Sequence, residues 1–174
     1  MKPYTLTERF ASVPVKEFTA SCVDVEKFLG YCRQCRNCGK IWACPPFSFD
    51  PMDIWSAYDI LELHALVLTP GKDMTMEELM EVFRMEKREL SLKVLAMEKE
   101  IPGSLSLAAG TCIECSPCLR TQGKPCCRPE QLRYSIEALG GDVGKLTEEY
   151  LKLPIRWISK GQLPDYLTLA AGLL

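Results

Sequence analysis

Cysteines are concentrated in two short stretches of this 174-residue chain, and both stretches have the same opening spacing. Each begins C-x2-C-x2-C and continues to a further cysteine, with proline just beyond. Two residues between cysteines allow a tight turn to aim successive thiols at one centre, so the chain must build two compact loops around sulfur. The first stretch contains Cys32, Cys35, Cys38 and Cys44, and the second contains Cys112, Cys115, Cys118 and the adjacent Cys126 and Cys127.

Whether clustered thiols bind metal or form disulfides depends on the cellular compartment. The N-terminal segment has no apolar run that could serve as a signal-peptide core, and no stretch approaches the roughly 18 uninterrupted apolar residues of a membrane helix. We therefore expect a cytoplasmic protein without membrane insertion. In a reducing compartment, clustered cysteines bind metal or do redox chemistry more often than they form disulfides.

The spacing also bears on which metal the thiols bind. Bacterial ferredoxins hold [4Fe–4S] clusters with C-x2-C-x2-C and a distant cysteine before proline, and that distant cysteine often serves the other cluster. Structural zinc more usually takes two separated C-x2-C pairs. The pattern favours one or two [4Fe–4S] clusters, with zinc as the alternative. Two functions follow: a redox or electron-transfer protein, or a zinc-stabilised interaction module without catalytic turnover.

Basic residues accompany both stretches and would screen the negative charge of a thiolate-bound metal. They are Arg33, Arg36 and Lys40 in the first stretch and Arg120, Lys124 and Arg128 in the second.

Length and composition predict one soluble domain over residues 1–174, since 47% of the residues are hydrophobic and 25% are charged, and the cysteines make it a metal-binding domain. The net charge of −2 and the isoelectric point near 5.6 give no strong field for nucleic acid. We expect an unidentified redox partner protein and no nucleic acid. The oligomeric state is not predicted.

Apolar runs alternate with helical periodicity, which predicts an α/β (α+β) fold: a small mixed sheet of about four strands, packed by helices, with the cysteine loops at one end. Strands are predicted at 13–20, 60–70, 104–110 and 166–174. Helices are predicted from Thr75 to Ile101, with a capping box formed by Thr75 and Glu78, and at 129–143 and 146–153.

Within the long helix, one set of positions recurs at helical spacing and is predicted to be core, while another is predicted to face solvent. The core set is Leu79, Phe83, Leu90, Val94, Met97 and Ile101, and the solvent set is Glu77, Glu81, Arg84, Lys87, Arg88 and Lys93.

The segments CRQCRNCGKIWACPPF and CIECSPCLRTQGKPCCRPEQLRYSIEALGGDV resemble the cysteine-rich "predicted metal-binding proteins" of bacteria and archaea, domain of unknown function twenty-two eighty-four. The resemblance spans most of the chain and implies metal binding without supplying a reaction. Its second motif ends in a run that here reads Ser135, Glu137, Ala138, Gly140, Asp142 and Val143.

The resemblance also bears on the ligands. Cys38 stands where relatives have an aromatic residue, so Cys32, Cys35 and Cys44 are expected to take either Cys38 or Cys22 as the fourth ligand. The family pattern aligns Cys126 with the ligand position and places Cys127 where arginine is expected. The second set is therefore Cys112, Cys115, Cys118 and Cys126.

Other candidate chemistry is sparse. The single histidine, His64, lies in an apolar run and is expected to be a core or edge residue. Glu137 and Asp142 are expected to cap a helix or form surface ion pairs, and Trp42 and Trp55 to pack near the first loop. No nucleotide-binding or serine-hydrolase motif is present, and no catalytic residue is assigned.

Overall fold

The computed structural model describes residues 3–158 and 162–174. Three helices separate the first two strands, and one long helix separates the second strand from the third. Regular structure is then sparse from the second cysteine stretch until residue 143. The strands are β1 (Tyr4–Pro14), β2 (Ile60–Pro70), β3 (Ser106–Leu107) and β4 (Leu167–Leu173), and the α-helices are α1 (Val15–Cys22), α2 (Val25–Gln34), α3 (Pro51–Ser56), α4 (Met76–Glu100) and α5 (Val143–Leu151).

The four strands form one sheet in the order β1-β2-β4-β3. All three pairings are antiparallel, where a mixed sheet was predicted, but the predicted α+β class and the number of strands are confirmed. Alternate residues of the central strands enter different cores. Leu61 and Leu63 pack with Phe18 and Trp55, whereas Leu66 packs with α4. The sheet therefore lies between α4 on one face and the shorter helices on the other.

The strands and helices that were predicted most accurately have strong local sequence patterns. The run at 60–70 is β2, and 166–174 contains β4. The long helix α4 begins after Thr75, which forms the predicted capping box with Glu78. The third predicted strand, at 104–110, is reduced to two paired residues. The helix predicted at 146–153 is α5, which begins slightly earlier.

One prediction at the N-terminal end was wrong, and most of one strand there was not predicted. The segment at 13–20 was predicted as a strand, but only Val13 and Pro14 belong to β1. From Val15 the chain is helical, because Val15, Phe18 and Cys22 recur at the three- and four-residue spacing of a buried helix face. The main part of β1 was missed because it is an edge strand whose middle residues are exposed, so its apolar signal is weak.

The helix predicted at 129–143 was also wrong, since these residues form turns. Their backbone groups are bonded to distant parts of the chain: Tyr134 O accepts from Ala108 N at 2.8 Å, and Gly140 O accepts from Asp24 N at 2.9 Å. Ile136 and Leu139 are nevertheless fully buried. The apolar spacing was real, but long-range hydrogen bonds take up part of this backbone, and only isolated helical bonds remain, such as Leu139 N to Ser135 O at 3.3 Å.

None of the helices in the described residues combines the length and the apolar composition that a membrane span requires.

Candidate metal centre

The first cysteine loop begins in the last turn of α2. Cys32 lies in its last turn and Cys35 is its C-cap, with Cys35 N donating to Cys32 O at 2.9 Å. The next turn repeats this contact, because Cys38 N donates to Cys35 O at 3.1 Å. Each C-x2-C interval is therefore one hydrogen-bonded turn, and the three cysteines follow one another on successive turns.

Cys44 returns to these three cysteines. Burial is the main cause of the raised pKa of the Cys32 thiol, and the charges of Cys44, Cys35 and Cys38 raise this pKa further. The four sulfur atoms of the first stretch are thus close enough to interact electrostatically.

The second loop places three cysteines before a reversal of the chain. A 3-10 helix, Leu119–Gln122, follows Cys118 and ends at Gly123, whose φ is +66°. This left-handed conformation suits glycine, and it turns the chain back. The reversal delivers Cys126 and Cys127 to the preceding cysteines.

Both members of the doublet contact the second loop electrostatically. Burial raises the pKa of the Cys112 thiol, and Cys126 is among the charges that raise it further. For Cys115, burial and then the hydrogen bond and charge of Cys127 raise the pKa to about 11. Cys127 is exposed, whereas Cys126 is partly buried and accepts a hydrogen bond from Arg128 N at 3.4 Å. The choice between Cys126 and Cys127 as ligand stays a prediction.

Arg120 joins the two loops. Its guanidinium, which belongs to the second loop, donates to Ile41 O at 2.9 Å, Cys44 O at 2.6 Å and Pro46 O at 2.7 Å. The same group lies 5.0 Å from the ring centroid of Trp42, whose Nε1 donates to Lys124 O at 3.0 Å. The sequence predicted Arg120 only as a screening charge. Its planar set of donors instead fixes the path of the first loop.

A direct contact also joins the first loop to the start of the second. Cys44 Sγ lies 3.2 Å from Thr111 Oγ1, next to Cys112 in the chain. Burial raises the pKa of Cys44 first, and Cys35 from its own loop and Cys112 from the other loop raise it further. The loops are therefore spatial neighbours, as an exchange of fourth ligands between two centres requires.

Cys22 is placed elsewhere. It is buried in α1, and its Sγ donates to Glu149 Oε2 at 3.6 Å. Burial raises the pKa of Cys22, and the charged groups that act on it are Glu149 and Lys145 rather than other thiols. Of the two candidates for the fourth ligand of the first site, Cys38 therefore lies with the other thiols of the first loop, whereas Cys22 does not.

All ten cysteines are free thiols, so the donor chemistry fits a thiolate-bound metal. In residues 3–158 and 162–174, no three Cys, His, Asp or Glu side chains are arranged to hold a single metal ion. What the fold provides is two adjacent groups of interacting sulfur atoms.

Residues 16–174 match the family described as Predicted metal-binding protein (DUF2284). The chain belongs to this family. The resemblance seen in the cysteine motifs is thereby confirmed over most of the chain. No curated protein and no solved structure matches it.

In this member of the metal-binding family, α4 supplies charged side chains to the second loop. Glu114 is 3.3 Å from Arg88 of α4 and 3.7 Å from Arg128, which ties the loop to the helix. Lys87 is half-buried rather than solvent-facing as predicted, and burial lowers its pKa. The charges of Glu137, Cys112 and Cys44 act on Lys87, so its ammonium lies beside both loops.

The sequence contained a signal for Lys87 that was missed. Phe83, Lys87, Leu90 and Val94 follow one another at three- or four-residue spacing, so Lys87 interrupts an apolar stripe. A lysine at such a position either snorkels to solvent or faces a polar site within the fold.

The remaining candidates have structural roles. Asp142 caps α5 as predicted, its Oδ1 accepting from Lys145 N at 2.9 Å. Trp55 is fully buried and donates from Nε1 to Leu139 O at 2.9 Å. His64 is buried, with its ring edge-on to Phe10, and burial lowers its pKa. Glu137 neither caps a helix nor forms a surface ion pair, and it lines a cavity beside the loops.

Proposed function

We propose that this protein binds one or two [4Fe–4S] clusters through its two cysteine loops and carries electrons for a partner protein. The observation that carries the proposal is the adjacency of two C-x2-C-x2-C motifs: Cys44 Sγ of the first lies 3.2 Å from Thr111 Oγ1, immediately before Cys112 of the second. The ligands would be Cys112, Cys115, Cys118 and Cys126 in the second loop, and Cys32, Cys35, Cys38 and Cys44 in the first.

Three closely spaced thiolates in each loop favour a cluster over zinc, because zinc sites are usually completed by two separated pairs. When bound, such a cluster supplies one-electron redox chemistry. The protein itself would hold the thiolates together and restrict the access of water to Cys44 and Cys112, which are partly buried. Cys35 is exposed, so a partner protein could approach the site there.

The thiols must lose their protons to bind metal. Burial raises the pKa of Cys32, Cys44 and Cys112, so these groups are protonated in the metal-free protein at neutral pH. Metal uptake therefore releases protons and becomes more favourable as the pH rises.

The proposal is tested by purifying the full chain under anaerobic conditions and measuring iron, acid-labile sulfide and zinc. We expect iron and sulfide in equal amounts, with a broad visible absorption band that bleaches on reduction. A colourless protein containing stoichiometric zinc would overturn the proposal and support the zinc-stabilised module. Oxygen must be excluded, because thiolates left by a lost cluster would bind zinc.

A set of variants tests whether the loops exchange ligands. Cys32→Ser with Cys35→Ser should remove the iron of the first loop and retain that of the second. Adding Cys44→Ser to this pair removes the remaining iron only if Cys44 serves the second loop. Adding Cys38→Ser instead is the matched control, since Cys38 interacts with Cys32 on its own loop.

A further inference from the structure

A cavity of about 440 Å³ lies between α4, β4 and the segment after α5. This volume is within the roughly 300–1,000 Å³ range of small-molecule sites. Phe83 and Leu169 contribute apolar walls, and Lys87, Glu137, Arg156 and Thr168 contribute polar groups. The cavity is thus apolar with a few polar groups, the usual composition of a ligand site.

Among the described residues, one atom in each of two of these polar groups lacks a hydrogen-bond partner, although the Glu137 carboxyl group also bonds to Ser135. Glu137 Oε2 and Thr168 Oγ1 are both buried, and neither has a hydrogen-bond partner in residues 3–158 and 162–174. Buried polar atoms are nearly always hydrogen-bonded, because leaving one unpaired is costly. Two such atoms from distant segments line the same cavity, which indicates that a bound molecule supplies their partners.

The charges of the lining favour an anion. Lys87 and Arg156 are two cations against one acidic residue, Glu137. In the described part of the chain, neither cation has a carboxylate within 4.0 Å. Arg156 lies instead 5.7 Å from the ring centroid of Tyr166, at the exposed side of the cavity.

The polar side of the cavity adjoins the second cysteine loop. Gly110 lines the cavity with a φ of +73°, and a β-carbon at this position would stand 3.4 Å from Lys87 Nζ. Thr111 follows at once and lies 3.2 Å from Cys44 Sγ. Lys87 is therefore held at the start of the loop, and a ligand at its ammonium would lie next to the thiols.

We propose that this cavity binds a small organic carboxylate with an apolar body. The carboxylate contacts the ammonium of Lys87, and the apolar body lies against Phe83 and Leu169. The Thr168 hydroxyl donates to the same carboxylate, and so does Glu137 in its protonated form, which burial favours by raising the pKa of this carboxyl group. Aliphatic and aromatic acids both combine a carboxylate with an apolar body, and measurements of binding affinity show which of the two the cavity prefers.

The test measures binding of octanoate and 3-phenylpropionate to the full chain by isothermal titration calorimetry, each alongside its uncharged amide. We expect at least one acid to bind about tenfold more tightly than its amide, since hydrogen bonds to charged groups exceed neutral ones by that order. Whichever acid binds more tightly identifies the body as aliphatic or aromatic.

Lys87→Met should remove the preference for the acid, while Lys99→Met, at an exposed position of the same helix, should leave it unchanged. Arg156→Met provides a second test at an exposed position and should weaken acid binding severalfold. Iron content is measured in every variant and should not change. Failure of both acids to bind, equal binding of acid and amide, or equal effects of Lys87→Met and Lys99→Met would overturn the proposal.

Discussion

In the sheet, β2 is hydrogen-bonded on one side to β1 and on the other to β4, and Leu63 and Leu68 are buried among apolar side chains. Between β3 and α5 the chain runs from 108 to 142 with one 3-10 turn as its only regular helix or strand. The cysteine end consists of residues 110–128 of this segment together with the first loop at 32–46, and it is held by polar contacts such as the three hydrogen bonds of Arg120. Ile136 and Leu139, later in the segment, belong to the apolar core instead.

The difference shows where metal binding enters the stability of the protein. The sheet is stabilised by burial of apolar surface, which requires no ligand. The cysteine end has interacting free thiols in place of an apolar core, and a bound metal would supply much of its stability. We therefore expect changes at the two ends to have separable effects.

The largest expected effect is loss of the second metal site. A structural metal contributes on the order of 10 kcal/mol, far more than one side-chain contact. With the proposed cluster in the second loop, Cys126→Ser should deplete its iron and loosen the loop, whereas Cys127→Ser should leave iron nearly intact, because Cys126 is partly buried and Cys127 is exposed. Iron analysis checks this, and equal loss in both variants or loss in neither would contradict it.

A smaller effect is expected in the apolar core opposite α4. Trp55 is fully buried and packs edge-on against Phe18. Trp55→Ala should lower the free energy of unfolding by about 3–5 kcal/mol. Trp55→Phe, which retains a ring but loses the hydrogen bond to Leu139 O, should cost about 1–3 kcal/mol. Urea unfolding measures the free energy of unfolding of both variants. Equal losses for Trp55→Ala and Trp55→Phe would show that the hydrogen bond contributes more than the packing of the ring.

The next largest effect on stability is expected from Arg120, whose hydrogen bonds link the two loops. Arg120→Met removes three hydrogen bonds to the first loop and should cost about 2 kcal/mol. Hydrogen exchange should increase in both loops and not in β2. Arg128→Met is the matched control: this exposed arginine pairs with Glu114 at 3.7 Å, so we expect a change of about 0.5 kcal/mol or less. Faster exchange in β2 would show that the two ends are not separable.

The smallest effect concerns the ion pair at the junction of the two ends. Burial alone would raise the pKa of Glu98, but hydrogen bonds from Arg133 and Ser106 hold the pKa at about 2, below its ordinary 4.5. The carboxylate therefore stabilises the fold above pH 4.5, and this contribution is lost as the pH falls towards 2. Glu98→Gln should lack about 1–2 kcal/mol of this pH-dependent stability. Unfolding of both proteins across that pH range measures the difference, and parallel curves would contradict it.

Prediction from sequence succeeded where neighbouring residues determine the structure. The apolar run of β2 and the capping box of α4 are local patterns, and both elements form where predicted. Prediction failed for 129–143, where apolar residues at helical spacing are buried without a helix. There the backbone bonds to residues more than twenty positions away, and no local pattern records such partners.

The candidate site divides in the same way. The spacing of the cysteines by itself determined which thiols share a loop, because thiols three positions apart in the chain are necessarily close in space. The sequence around them carried the resemblance to a metal-binding family, which the family match confirmed. Only the tertiary structure decided that Cys44 lies beside Cys112, that Cys22 is remote from the first loop, and that Lys87 and Glu137 meet at a cavity. These contacts join segments separated by many residues, so they depend on how the sheet and α4 bring the loops together.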